Sequence, residues 1–95
     1  MAVTILIRRR VTENTALGVD YLLRKMRSLT VNQKGYISGE TFRRIDEEDV
    51  SLVISVWQTL GAWQKWRSSE ERIELQNEID LLLGEPTQYE IYEHV

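Results

Sequence analysis

The chain predicts an α+β fold of ferredoxin-like order, β-α-β-β-α-β, built on a four-stranded antiparallel sheet. Three observations predict it. Segments of two-residue and 3.6-residue hydrophobic period alternate in that order along 95 residues. The run from Val50 begins as a strand apolar on both faces, which requires cover from both sides. The helical segments suffice for one side only, because right-handed crossovers place them all on the same face. The other face then needs a partner, and a second copy of the chain in a two-fold dimer supplies one.

The first strand spans Ala2 to Val11, with Val3, Ile5 and Ile7 alternating against Thr4, Leu6 and Arg8. Arg8 and Arg10 share a face and Arg9 takes the other. Arginines at a strand end are usually solvated or paired with carboxylates; the alternative is one that reaches into a cavity. Asn14 is a candidate N-cap for a helix from Thr15 to Ser28, whose stripe is Val19, Leu22, Leu23, Met26 and Leu29. Gly35 to Ile45 reads as the second strand, and Gly39 within it marks a bulge or a close backbone approach. The acidic turn Asp46 to Asp49 makes a hairpin to the third strand, Val50 to Gln58. Leu52, Ile54 and Val56 line one face of that strand; Val53, Ser55 and Trp57 line the other.

Thr59 caps a short helix from Leu60 to Arg67. Ser68 with Glu71 reads as a capping box that opens a further helix to Leu83, with Leu75, Ile79, Leu82 and Leu83 as its stripe. Gly84 ends it and Pro86 blocks its continuation. Thr87 to Val95 is the last strand, carrying Tyr89, Ile91, Tyr92 and His94.

Composition bounds the function. The length is that of one domain, residues 1–95. A hydrophobic fraction of 42%, a charged fraction of 28% and a net charge of −3 describe an ordinary soluble globule with no basic footprint for nucleic acid. No segment is long enough to span a membrane, so a cytoplasmic protein is the default reading. With no cysteine there is no thiolate chemistry and no disulfide framework. One histidine cannot build a multi-histidine metal site, and neither a Gly-rich phosphate loop nor a G-x-S-x-G elbow occurs. No cofactor is expected.

What remains is aromatic. Trp57, Trp63 and Trp66 fall within ten residues, where strand, helix and partner meet. Core packing accounts for most tryptophans, Trp63 among them; Trp57 and Trp66 are the candidates for the wall of a pocket for a planar ligand. The residues by themselves name no catalytic group.

The opening strand ending in arginine, the pair Gly35-Tyr36, the signature VWQTLGAWQKWRSS and the closing PTQYEIYE together resemble the antibiotic biosynthesis monooxygenase family of the dimeric α+β barrel superfamily. The resemblance runs nearly end to end. It implies a homodimer through the sheet face, with a cavity between sheet and helices in each protomer. Some relatives oxidise quinol-like aromatics with dioxygen and no cofactor; others degrade haem or have no known activity. Haem-degrading relatives carry a tryptophan where Trp66 stands, a histidine ten residues later and an asparagine in the first strand. Gln76 and Ile7 occupy the latter positions here, so haem degradation is not expected. The resemblance thus implies a monooxygenase-like protein binding a small planar hydrophobic phenol or quinol. Trp57 and Trp66 would be its wall, and Arg8, Tyr36 and Gln76 its polar contacts. The alternative is a non-catalytic ligand-binding or structural homodimer.

Overall fold

Alternation in β1 (Val3–Arg10) decides which side of the sheet the helices cover. Val3, Ile5, Ile7 and Arg9 are buried, so this parity faces the helices. The computed structural model describes residues 1–95. It follows β1 with α1 (Glu13–Thr30), β2 (Tyr36–Arg43), β3 (Val50–Trp57), α2 (Leu60–Arg67), α3 (Glu70–Leu83) and β4 (Gln88–Glu93). The sheet is antiparallel, in the order β2-β3-β1-β4. This is the ferredoxin-like arrangement, with the second crossover split into two helices.

Register carries the parity of β1 across the sheet. Val3 lies opposite Trp57, Ile5 opposite Ser55, Ile7 opposite Val53 and Arg9 opposite Ser51. These residues lie on the helix side. Leu6 opposite Ile54, Thr4 opposite Val56 and Arg8 opposite Leu52 lie on the open side. Phe42 and Tyr92 join that open face from the edge strands, 46% and 50% exposed. The core is on the other side, where Val19, Leu22 and Met26 of α1 and Leu75 and Ile79 of α3 meet Val3, Ile5, Ile7 and Trp57.

Element ends moved where hydrogen bonding competes. The first helix starts at Glu13 with Thr12 in the cap position, two residues before Asn14. The amide of Val11 still donates to the Asp49 carbonyl, so the chain turns immediately after that bond, and the Thr12 carbonyl accepts from Thr15 and Ala16. Ser68 does not cap α3. Its amide is held by the Gln64 carbonyl at the end of α2, which passes the capping role to Ser69, whose Oγ accepts from the Arg72 amide. Thr59 caps α2 through the Ala62 amide, and Gly84 ends α3 in the left-handed conformation at φ +75°. A bulge lies between Tyr36 and Ser38, and the Tyr36 hydroxyl would sit 2.7 Å from a Cβ at Gly39. Gly39 is therefore the place where an aromatic ring lies on bare backbone.

Candidate functional site

A cavity of about 330 Å³ opens between α1 and the β2, β3 and β1 strands. Its apolar wall comes from Ile7, Leu23, Met26 and Val53, with Trp63 and Trp66 from α2. Arg9 from β1 and Arg72 from α3 supply buried charge, 6% and 3% exposed. Asp20, Arg24 and Arg27 of α1 stand at the solvent-exposed rim, where Arg24 Nε donates to Asp20 Oδ2 at 2.9 Å.

Burying two guanidinium groups is costly unless their N–H donors are met. Much of that demand is met by a relay across α3 and β4. Arg9 Nη2 donates to Gln76 Oε1 at 2.9 Å and Arg9 Nε to Thr87 Oγ1 at 3.2 Å. Gln76 Nε2 donates to Asp80 Oδ1 and Thr87 Oγ1, both at 2.7 Å. The Tyr89 hydroxyl donates to Gln76 Oε1 at 3.1 Å and accepts from Arg72 Nη2 at 2.9 Å. Burial pushes the Arg9 guanidinium down to about 10; Tyr89 opposes that, Arg72 adds to it and Asp80 opposes it. Arg9 stays charged at neutral pH, so this end of the cavity carries two positive groups against the single carboxylate of Asp80.

Two buried donors have no acceptor in the protein, Arg72 Nε and Trp63 Nε1. Both belong to residues that line the cavity. They adjoin each other, with the Arg72 guanidinium carbon 5.2 Å from the centre of the Trp63 ring. Neither nitrogen has accessible surface, so both are sealed in the packing behind the wall, where a donor left unmet costs about 1–3 kcal/mol.

The sequence candidates divide between the two sides of the sheet and between the cavity and the core behind it. Tyr36 and Trp66 line the cavity. Trp57 is fully buried outside the lining, its Nε1 donating to Ser55 Oγ and its ring edge-on to Tyr36 and Trp63. Gln76 lies one hydrogen bond behind the wall and holds Arg9. Arg8 lies on the open sheet face, 3.5 Å from Glu90, and its neighbour Arg9 takes the cavity side because strand parity puts it in line with Ile5 and Ile7. Trp63 combines the two roles, 1% exposed yet lining the cavity. Arg72 was not among the candidates. Its signal was present in the helix period, since Arg72, Leu75, Gln76 and Ile79 repeat at i, i+3, i+4 and i+7 and all four are buried. Polar residues on such a stripe mark a buried polar site.

The fold is that of a ferredoxin-like α+β domain with a cavity between sheet and helices. The sequence model of the antibiotic biosynthesis monooxygenase family matches residues 2–78, and the chain belongs to that family. Solved structures share the fold at low identity. A conserved protein from Methanosarcina mazei Go1 matches with a TM-score of 0.90 and 15% identity, over 100% of this chain and 94% of that one. Rv0793 from Mycobacterium tuberculosis gives 0.87 and 16%, covering 100% and 96%. SnoaB, a cofactor-independent oxygenase from Streptomyces nogalater, gives 0.83 and 15%, covering 99% and 93%. No curated protein matches the chain in sequence. No helix is long and apolar enough to cross a membrane.

Proposed function

We propose that the chain is a cytoplasmic homodimer, paired through the open sheet face, whose cavity binds a small planar aromatic molecule and oxidises an electron-rich phenol or quinol with dioxygen. The observation that carries this reading is a cavity walled by Tyr36, Trp63 and Trp66 and lined by the two buried arginines Arg9 and Arg72. Membership of a monooxygenase family and a fold shared with a cofactor-independent oxygenase support the reaction class. The apolar open face, with Leu6, Leu52, Ile54 and Phe42, supports the dimer.

In this reading Trp66, Trp63 and Tyr36 pack against the ring, and Arg9 and Arg72 supply positive charge to the substrate oxygen. Gln76 acts through Arg9 as a positioning residue, and Trp57 backs the wall. The ionised phenol supplies the electrons. One atom of dioxygen becomes the new carbonyl oxygen and the other leaves as water, so that a phenol becomes a quinone. Donors placed on developing negative charge lower such a barrier, each by about 3–4 kcal/mol where this has been isolated. The carboxamide of Gln76 is committed to Arg9, Tyr89, Asp80 and Thr87, which leaves it no role as a ligand to haem iron.

The second reading is a binding protein without chemistry. The rim carboxylate, Asp20, is paired with Arg24. The wall contains no histidine to take a proton. Oxygen consumption with a panel of quinols separates the readings. Turnover that places one labelled oxygen from dioxygen in the quinone supports catalysis. Binding without oxygen uptake by any quinol supports the inert reading. Unchanged turnover in Trp66→Ala would remove Trp66 from the mechanism.

A further inference from the structure

The charge of the cavity is opposite to that of the protein. The chain carries a net charge of −3. The side chains lining the cavity include four arginines, Arg9, Arg24, Arg27 and Arg72, against the single carboxylate of Asp20. That carboxylate is already bonded to Arg24. A concavity lined by four of the nine arginines of an acidic protein raises the local concentration of anions there.

The buried end is as one-sided as the rim. Arg9 and Arg72 line it, 6% and 3% exposed. An anionic group beside them has its desolvation offset by two guanidinium charges, an offset that a neutral group does not gain.

We propose, building on the planar-ligand reading above, that the cavity selects aromatic anions, in which the anionic group is held by the positive charge of Arg9 and Arg72 and the ring lies against Trp66. The ligand enters charged, as a carboxylate or an acidic phenolate. The Arg24 and Arg27 rim draws it in. A volume near the lower end of small-molecule sites, which run from about 300 to 1,000 Å³, suits one or two fused rings.

Titration calorimetry with a matched pair at neutral pH and low salt tests this: 2-naphthoate, an anion, and 2-naphthamide, its neutral isostere. Binding of 2-naphthoate tighter than 2-naphthamide by about tenfold is the expected result, the scale of one charge-assisted hydrogen bond over a neutral one. Arg72→Gln should bring the two affinities together. The rim variant Arg24→Gln/Arg27→Gln, at exposed positions that do not threaten folding, should weaken 2-naphthoate more than 2-naphthamide. Equal affinities in the wild-type protein would overturn the anion selection while leaving an aromatic cavity. Failure of both probes to bind at millimolar concentration would overturn the planar-ligand reading along with it. If Arg72→Gln does not fold, the wild-type ratio and the rim variant decide the matter.

Discussion

Arg9 and Gln76 should show unequal tolerance to removal although they share one hydrogen bond. Gln76→Leu takes the acceptor from Arg9 Nη2 and from the Tyr89 hydroxyl, leaving a buried charge without that partner. Leaving a buried charged donor without its acceptor in this way costs about 3 kcal/mol. Arg9→Met removes the charge itself. Gln76 Oε1 then still accepts from Tyr89, and Thr87 Oγ1 still bonds Gln76 and Asp80. The desolvation of a guanidinium that is 6% exposed is also relieved. Its cost should be about 1 kcal/mol, since each satisfied partner loses only one of its bonds. The double variant should then cost less than the sum by about 2 kcal/mol, a coupling typical of residues within one network. Urea unfolding followed by circular dichroism measures all three, at one protomer concentration because a dimer's stability depends on it. Costs that add within about 0.5 kcal/mol would refute the relay, as would Arg9→Met being the more damaging change.

Other expectations concern the frame. Gly35 has φ +89°, and a Cβ there would lie 2.5 Å from Ala62 Cβ, so Gly35→Ala should cost about 1–3 kcal/mol in thermal unfolding. Ile54→Glu places a charge on the open face beside Leu6, its partner in β1, and should yield a monomer in sedimentation velocity. The Arg44 guanidinium bonds Asp46 and holds its carboxyl below the ordinary value of 3.8. Its small contribution to stability is therefore present above the unfolded-state value and lost as pH falls through the lower folded one. The carbon-13 shift of the Asp46 carboxyl should show that low titration, and Arg44→Ala should return it to the ordinary range.

The sequence made the scaffold legible because it is written in period. Alternation in Val3–Ile7 and Leu52–Trp57 fixed the faces of the central strands, and Thr59 and Gly84 marked the ends of α2 and α3. The site was legible only in part. Parity separated Arg8 from Arg9, but only packing shows which face closes over a cavity. Trp57 and Trp63 both carry large rings beside the same core. Their difference, one sealed behind the wall and the other lining it, depends on how α2 crosses β3. Arg72 and Gln76 sat in plain view on the helix stripe. Their partners Thr87 and Tyr89 come from β4, and such long-range bonds leave no local pattern. The one-residue shift of the cap from Ser68 to Ser69 followed from the preceding helix holding on to its last amide.

The indole N–H resonances of the three tryptophans offer the most direct reading of the cavity. Trp57 is sealed behind the wall with its Nε1 bonded to Ser55, whereas Trp63 lines the cavity. Titration with 2-naphthoate should shift the Trp63 indole proton to saturation, through the ring current of the bound naphthalene, and move that of Trp57 less. A Trp63 signal that stays in place while the probe binds would contradict the assignment of this cavity as the ligand site.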